Sequence, residues 1–135
     1  MAIVNTLQKC LESPYLFEDP EAPSQVKGLL DRADQRLEAA RSVHSAGQAD
    51  LTDANFLAYE AMFCCLRALV YAKGYREAGL RCLMLACEYL YVRNEQLDIS
   101  HLHAFERVQG LKLPPARTLE AAVNFVRRTH ELVGR

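Results

Sequence analysis

LTDANFLAYEAMFCCLRALVYAKGY, residues 51–75, carries only Asp53, Glu60 and Arg67 as charged side chains ahead of Lys73. The three are spaced seven apart. On a helix of 3.6 residues per turn that spacing leaves one narrow polar stripe, drifting only about 20° per heptad. The rest of the circumference is apolar or aromatic, and such a helix has to be surrounded by other helices. Glu60 and Arg67 sit about 10 Å apart along the axis, too far to pair within the helix. Each needs a partner from another helix, from water or from a second subunit. The stripe therefore faces solvent, a polar seam inside the bundle, or a dimer interface.

The stretches on either side read as helices too. Upstream, Val26, Leu30, Ala33, Leu37, Ala40 and His44 recur at alternating four- and three-residue steps, with Lys27, Asp31, Asp34, Glu38 and Arg41 on the opposite face. This predicts a long amphipathic helix opened by Ser24 as N-cap and ended at Gly47, with His44 at its C-terminus. The central helix is predicted to open at Thr52 or Asp53 and to close at Gly74. A third helix is expected from about Arg76 to Arg93, with a Glu77–Arg81 pair one turn apart and Leu80, Leu83, Met84, Cys87, Leu90 and Tyr91 buried. Ser100 can cap a short helix, HLHAFERV, that ends near Gly110. Pro114-Pro115 breaks the chain before a last helix whose stripe is Leu119, Ala122, Val123, Val126 and Val133. His130 falls near that seam.

The N-terminus is read differently. Residues 1–23 are expected to form a short helix over residues 3–12 and an acidic, proline-containing linker, with Tyr15, Leu16 and Phe17 as its anchor. Residues 24–135 form the bundle domain. No stretch alternates convincingly with period two, so no sheet is expected. The fold class is all-α, an antiparallel bundle of four to five helices.

Composition narrows the function. Net charge is −1, which argues against strong whole-molecule attraction to nucleic acid or an anionic membrane. Residues 1–60 carry 5 Lys/Arg against 10 Asp/Glu, whereas residues 61–135 carry 11 against 7. The excess, sharpest after Arg107, reads as an ordinary solvated helix face, with a local basic patch on the C-terminal half as the alternative. The interruptions at Glu60 and Arg67 argue against a membrane span. MAIVNTLQKCLE lacks the pattern of a signal peptide. The five cysteines (Cys10, Cys64, Cys65, Cys82, Cys87) include no CxxC pair and read as small buried hydrophobes of a reducing cytoplasm. No metal site and no cofactor is implied, and neither a glycine-rich phosphate loop nor HExxH, GxSxG or ExxH occurs.

His101 and His103 diverge by about 200° on a helix and cannot chelate one metal together. They read as exposed residues at a helix start, near Asp98 and Arg107. These three, His101, His103 and Arg107, are the weak catalytic candidates.

Ala58-Tyr59-Glu60-Ala61-Met62-Phe63, Arg67-Ala68-Leu69 and Lys73-Gly74-Tyr75, followed by REAGLRCLMLACEYLYV and a final helix reading EAAVNFVRR, resemble the HEPN domain (higher eukaryotes and prokaryotes nucleotide-binding). The resemblance spans roughly residues 25–133. It implies a helical bundle that tends to dimerise. It also implies company with ribonuclease toxins, with partners of small nucleotidyltransferases, or with non-catalytic RNA- or nucleotide-binding modules. Active ribonucleases of that family resemble one another in an Arg-x4–6-His motif supplied across a dimer. That spacing is absent: Arg41 and His44, and Arg127 and His130, are three apart, and Arg93 and His101 are eight apart. The expectation is therefore a cytoplasmic, non-catalytic, homodimeric interaction module, with a nucleotidyltransferase or toxin–antitoxin partner within the family's range. Tyr59, Glu60, Arg67, Arg76 and Arg81 are its binding or interface candidates. The alternatives are a divergent metal-independent ribonuclease and a nucleotide- or RNA-binding protein that uses the basic C-terminal half.

Overall fold

The computed structural model describes residues 6–46 and 52–134. Within them, α1 (Leu7–Glu12), β1 (Leu16–Glu18) and a 3-10 turn (Ala22–Gln25) lead into the long helix α2 (Val26–Ser45). The central helix α3 (Thr52–Tyr71) follows, then β2 (Tyr75–Glu77), α4 (Leu80–Cys87), α5 (Ser100–Gln109) and α6 (Pro115–Val133). The first helix begins at Leu7 with the extended Thr6 as its N-cap, so Thr6 is not part of the helix expected over residues 3–12; residues 3–5 and the stop at Gly47 lie outside the described residues. The all-α bundle expected from periodicity is the fold observed.

α3 packs along α2 and α6 and also touches α4 and α5. Ala58, Ala61, Met62, Cys65, Leu66, Ala68, Leu69 and Val70 are all buried to within 1 %. Each large apolar side chain so enclosed contributes about 1.5–3 kcal/mol relative to exposure. α2 turns Val26, Leu29, Leu30, Ala33, Leu37 and Ala40 inward, the expected stripe with Leu29 added. On α6 the buried face is rotated from the expected one: Thr118, Ala122, Phe125, Val126 and Thr129 are inside, while Leu119, Val123 and Val133 are half-buried. Two threonines inside a helix hide this face from a hydrophobicity pattern. Thr129 is tolerated because its hydroxyl donates to the Phe125 carbonyl one turn back, 2.8 Å away.

The absence of a sheet is corrected by the structure. Gly74 takes φ +87° after α3, a conformation that favours glycine. Gly79 is extended, at φ −148° and ψ 143°. Between them Tyr75–Glu77 pairs antiparallel with Leu16–Glu18, placing Leu16 opposite Glu77 and Phe17 opposite Arg76. A three-residue strand is too short to show a period. The third helix consequently starts at Leu80, and Glu77, being on a strand, cannot form the expected helical pair with Arg81. The N-terminal linker is extended at β1 but packed, with Leu16 and Ala22 buried, whereas Tyr15 and Phe17 are exposed. Ser24 does not cap α2; Gln25 occupies that position and the Ser24 hydroxyl donates to the Glu21 carbonyl.

The reading of five free thiols is also corrected. Cys10 of α1 and Cys82 of α4 form a disulfide across 72 residues, leaving Cys64, Cys65 and Cys87 free and buried. Burial pushes the Cys65 thiol up to about 12 and raises Cys64 and Cys87 as well. These three are packing residues with unreactive thiols. Among the described residues no helix is long and apolar enough to cross a membrane.

α4 ends in a wider turn, Glu88–Val92, in which the Arg93 amide reaches back five residues to the Glu88 carbonyl. The turn aims the buried Tyr91 at the end of α3. There the Lys73 amide donates to Val70 in place of Leu69, and the Tyr91 hydroxyl fills the vacancy by donating to the Leu69 carbonyl at 2.5 Å. Tyr91→Phe keeps the ring and removes only this donor. Its expected cost is about 1–3 kcal/mol in chemical denaturation, with an unchanged denaturant slope.

Candidate functional site

Two members of the charged stripe of α3, Glu60 and Arg67, are half-buried and engaged by other elements. The Arg36 Nε of α2 donates to Glu60 Oε2 at 3.2 Å. One heptad on, Arg67 donates from Nε and Nη2 to Glu77 Oε2, both at 3.3 Å, and its guanidinium lies 4.6 Å from the centre of the Phe63 ring. The Glu77 side chain is only 7 % exposed. Its other oxygen accepts the Tyr71 hydroxyl at 2.6 Å, and burial, assisted by that bond, pushes the Tyr71 phenol up to about 12. Arg76 lies over the Tyr71 ring at 5.3 Å and forms an ion pair with Asp19 at 3.1 Å. Asp53, the first member of the stripe, is exposed.

An aromatic stack continues this line toward α5. Tyr59 stacks on Phe105 at 5.1 Å and meets Phe63 edge-on at 6.0 Å. Burial raises the Tyr59 hydroxyl above its ordinary range. Tyr59, Glu60, Arg67 and Arg76 thus belong to one continuous seam, in which the last three already hold partners from their own chain. Arg81 stands apart. It lines a groove of ≈ 390 Å³ between α4 and α5 together with Leu80, Met84, Glu88, His103 and Glu106.

The two histidines part company, as their helical spacing requires. His103 is exposed and faces the α4/α5 groove; it also borders a small hollow with Glu106, Arg107 and Lys112. His101 is corrected from an exposed position. It is half-buried, stacked against Phe125 of α6 at 5.2 Å and 18° between planes. It lines a polar groove between α5 and α6 with Ser100, Arg107, Arg117, Glu120 and Asn124. Desolvation lowers its affinity for a proton; Asp98 opposes that effect, and Arg128 and Arg127 reinforce it. Asp98 itself accepts the Ser100 amide at 2.8 Å, and this bond holds its carboxyl below the usual range. Only Arg107 reaches both histidine-bearing surfaces.

Arg36, Glu77 and Arg117 escape a sequence reading. Arg36 and Glu77 acquire meaning only through contacts 24 and 10 residues distant. Arg117 carried a signal, the basic excess beyond Arg107, but one without a position.

With these elements in place, comparison with known families is decisive. The sequence profile of the HEPN domain matches residues 26–107, more than half of the chain. The chain belongs to the HEPN domain family. The match runs from the first residue of α2 to Arg107 of α5 and so contains the seam and both histidines. No curated protein and no solved structure matches the chain. In this HEPN domain Arg36, Arg67 and Arg76 are held in ion pairs, and His101 and His103 lie on separate surfaces.

His101 has a proton affinity below that of the unfolded chain, whose histidine titrates near 6.5. The unfolded state then binds more protons as the pH falls, so folding stability is complete above about 6.5 and declines as the pH drops through and below that value. Urea denaturation between pH 8 and pH 5 is expected to give a smaller acid loss in His101→Gln than in the wild type. Parallel profiles would remove His101 from this role.

Proposed function

We propose that this HEPN domain is a non-catalytic interaction module that works as a homodimer, with Phe56, Tyr59, Val108 and Leu111 at the two-fold contact. The observation that carries this reading is the surface at the start of α3. Phe56 is 60 % exposed and Leu111 79 % exposed, and with Asn55, Tyr59, Val108 and Gln109 they line an apolar hollow of ≈ 310 Å³. Leu111 has φ 57°, a left-handed conformation that is costly for a bulky residue. Backbone strain that projects a leucine into water is repaid when a partner covers it. A two-fold contact is self-complementary, so the Phe56 of each copy can occupy the hollow of the other. The exposed Asp53 near the patch and the exposed Lys112 beside Leu111 supply opposite charges for its rim. Engagement of Arg36, Arg67 and Arg76 within the chain supports a non-catalytic role, because a paired arginine is not available to stabilise a transition state.

Light scattering is expected to give a mass near twice the 15.2 kDa of the single chain. Phe56→Asp with Leu111→Asp is expected to give the monomer mass with unchanged helical circular dichroism. A wild-type monomer at tens of micromolar would falsify the homodimer. A nucleotidyltransferase of a toxin–antitoxin pair is the heterologous partner that the family suggests, and co-purification with such a protein tests it.

The groove between α5 and α6 supports a second reading, an RNA or nucleotide binder. There Arg107 and Arg117 outnumber Glu120. Binding of a single-stranded RNA is then expected to weaken steeply with salt, and Arg107→Ala with Arg117→Ala to reduce the logarithmic salt slope by about 1–2. Salt-independent binding counts against this reading. RNA cleavage abolished by His101→Ala with His103→Ala would instead restore the ribonuclease assignment.

A further inference from the structure

The disulfide between Cys10 and Cys82 does more than close a long loop. α1 is six residues long, and Cys10 is its only buried residue. Among the described residues, its hydrogen bonds all close on itself. Thr6 accepts the Lys9 amide, the Cys10 amide donates to the Thr6 carbonyl, Gln8 donates to Glu12, and Ser13 returns to Lys9 and Cys10. Leu7 is half-buried against the core and Leu11 is 41 % exposed. An isolated helix of this length does not persist in water, where about 12–15 residues are needed even for favourable sequences.

The chain immediately after α1 is held by other means. The Ala78 amide donates to the Tyr15 carbonyl at 2.9 Å, β1 pairs with β2, and Asp19 binds both the Gly74 carbonyl through its amide and Arg76 through its carboxylate. Leu16 and Ala22 are in the core. The boundary between a segment held by one covalent bond and the packing of Leu7 and a segment held by a sheet therefore falls near Pro14.

We propose that the Cys10–Cys82 bond is a redox latch that docks α1 on α4 when oxidised and releases residues 6–14 when reduced, while the sheet and the bundle stay folded. A dithiol supplies two electrons and two protons. The sulfur–sulfur bond breaks to give two cysteine thiols, and the reagent becomes its own disulfide. Both sulfurs are buried, with Cys10 0 % and Cys82 2 % exposed, so attack passes through a local opening of α1. Release uncovers the Cys82 side of α4 and leaves two thiols. The latch does not depend on the homodimer proposed above.

The test uses the full chain equilibrated with oxidised glutathione or with dithiothreitol. Denatured oxidised protein is expected to react with three equivalents of a thiol reagent, from Cys64, Cys65 and Cys87, and the reduced protein with five. Hydrogen exchange read by mass spectrometry is expected to accelerate about tenfold or more over residues 6–14 on reduction. Peptides from α2, α3 and α6 are expected to keep their protection. Cys82→Ser should match the reduced pattern in both reagents, and Cys10→Ser offers the same test without altering α4. Five reactive thiols after oxidation, unchanged exchange in residues 6–14, or loss of protection across the bundle on reduction would each overturn the proposal.

Discussion

The constraint on which the rest of the structure depends is the enclosure of α3. A helix whose surface is apolar nearly all round loses free energy wherever water reaches it, so α2, α4, α5 and α6 are arranged around it. Its small residues, Ala58, Ala61, Cys65 and Ala68, are fully buried and let the neighbouring backbones approach closely, while Met62, Leu66 and Leu69 fill the space between them. Such enclosure also has to settle the end of the helix. A buried C-terminus leaves carbonyls unpaired, and the hydroxyl of Tyr91, brought in by the wide turn after α4, closes one of them.

The polar stripe on α3 follows from the same enclosure. Glu60 and Arg67 are drawn partly out of water by their neighbours, and a half-buried charge is tolerable when it is paired and hydrogen-bonded. Arg36 and Glu77 provide those pairs, from α2 and β2. Ion pairs as exposed as Arg36–Glu60 contribute little to stability. Arg36 and Arg67 are thereby committed to holding two helices and a strand together. Open surfaces include the apolar one around Phe56 and Leu111 and the grooves between α4 and α5 and between α5 and α6.

Periodicity made the helices legible. The charges spaced by seven in residues 51–75 repeat over about four turns and the stripe of α2 over about five, and the resemblance to HEPN was strongest in the first of these stretches. The small sheet was not legible, because three residues per strand give no period and its partners are separated by 57 positions or more along the chain. The disulfide was equally hidden, since Cys10 and Cys82 share no motif spacing and meet only because α1 folds back onto α4. At the candidate site, the sequence separated His101 from His103 by helical geometry alone. It missed the burial of His101, which depends on Phe125 of another helix.

The sequence by itself determined the helical class, the central position of α3 and membership of the HEPN family. These rest on local apolar pattern and residue type, and burial of a nearly all-apolar helix admits few other solutions. Tertiary structure alone decided which charges are used up, which histidine is sheltered, and which apolar side chains stay in water. Glu77 shows the reason. Written as the second residue of a helix, it would face Arg81; placed on a strand by the left-handed Gly74, it faces Arg67 and Tyr71 instead. Partner choice depends on where distant segments come to rest, and no local pattern records that.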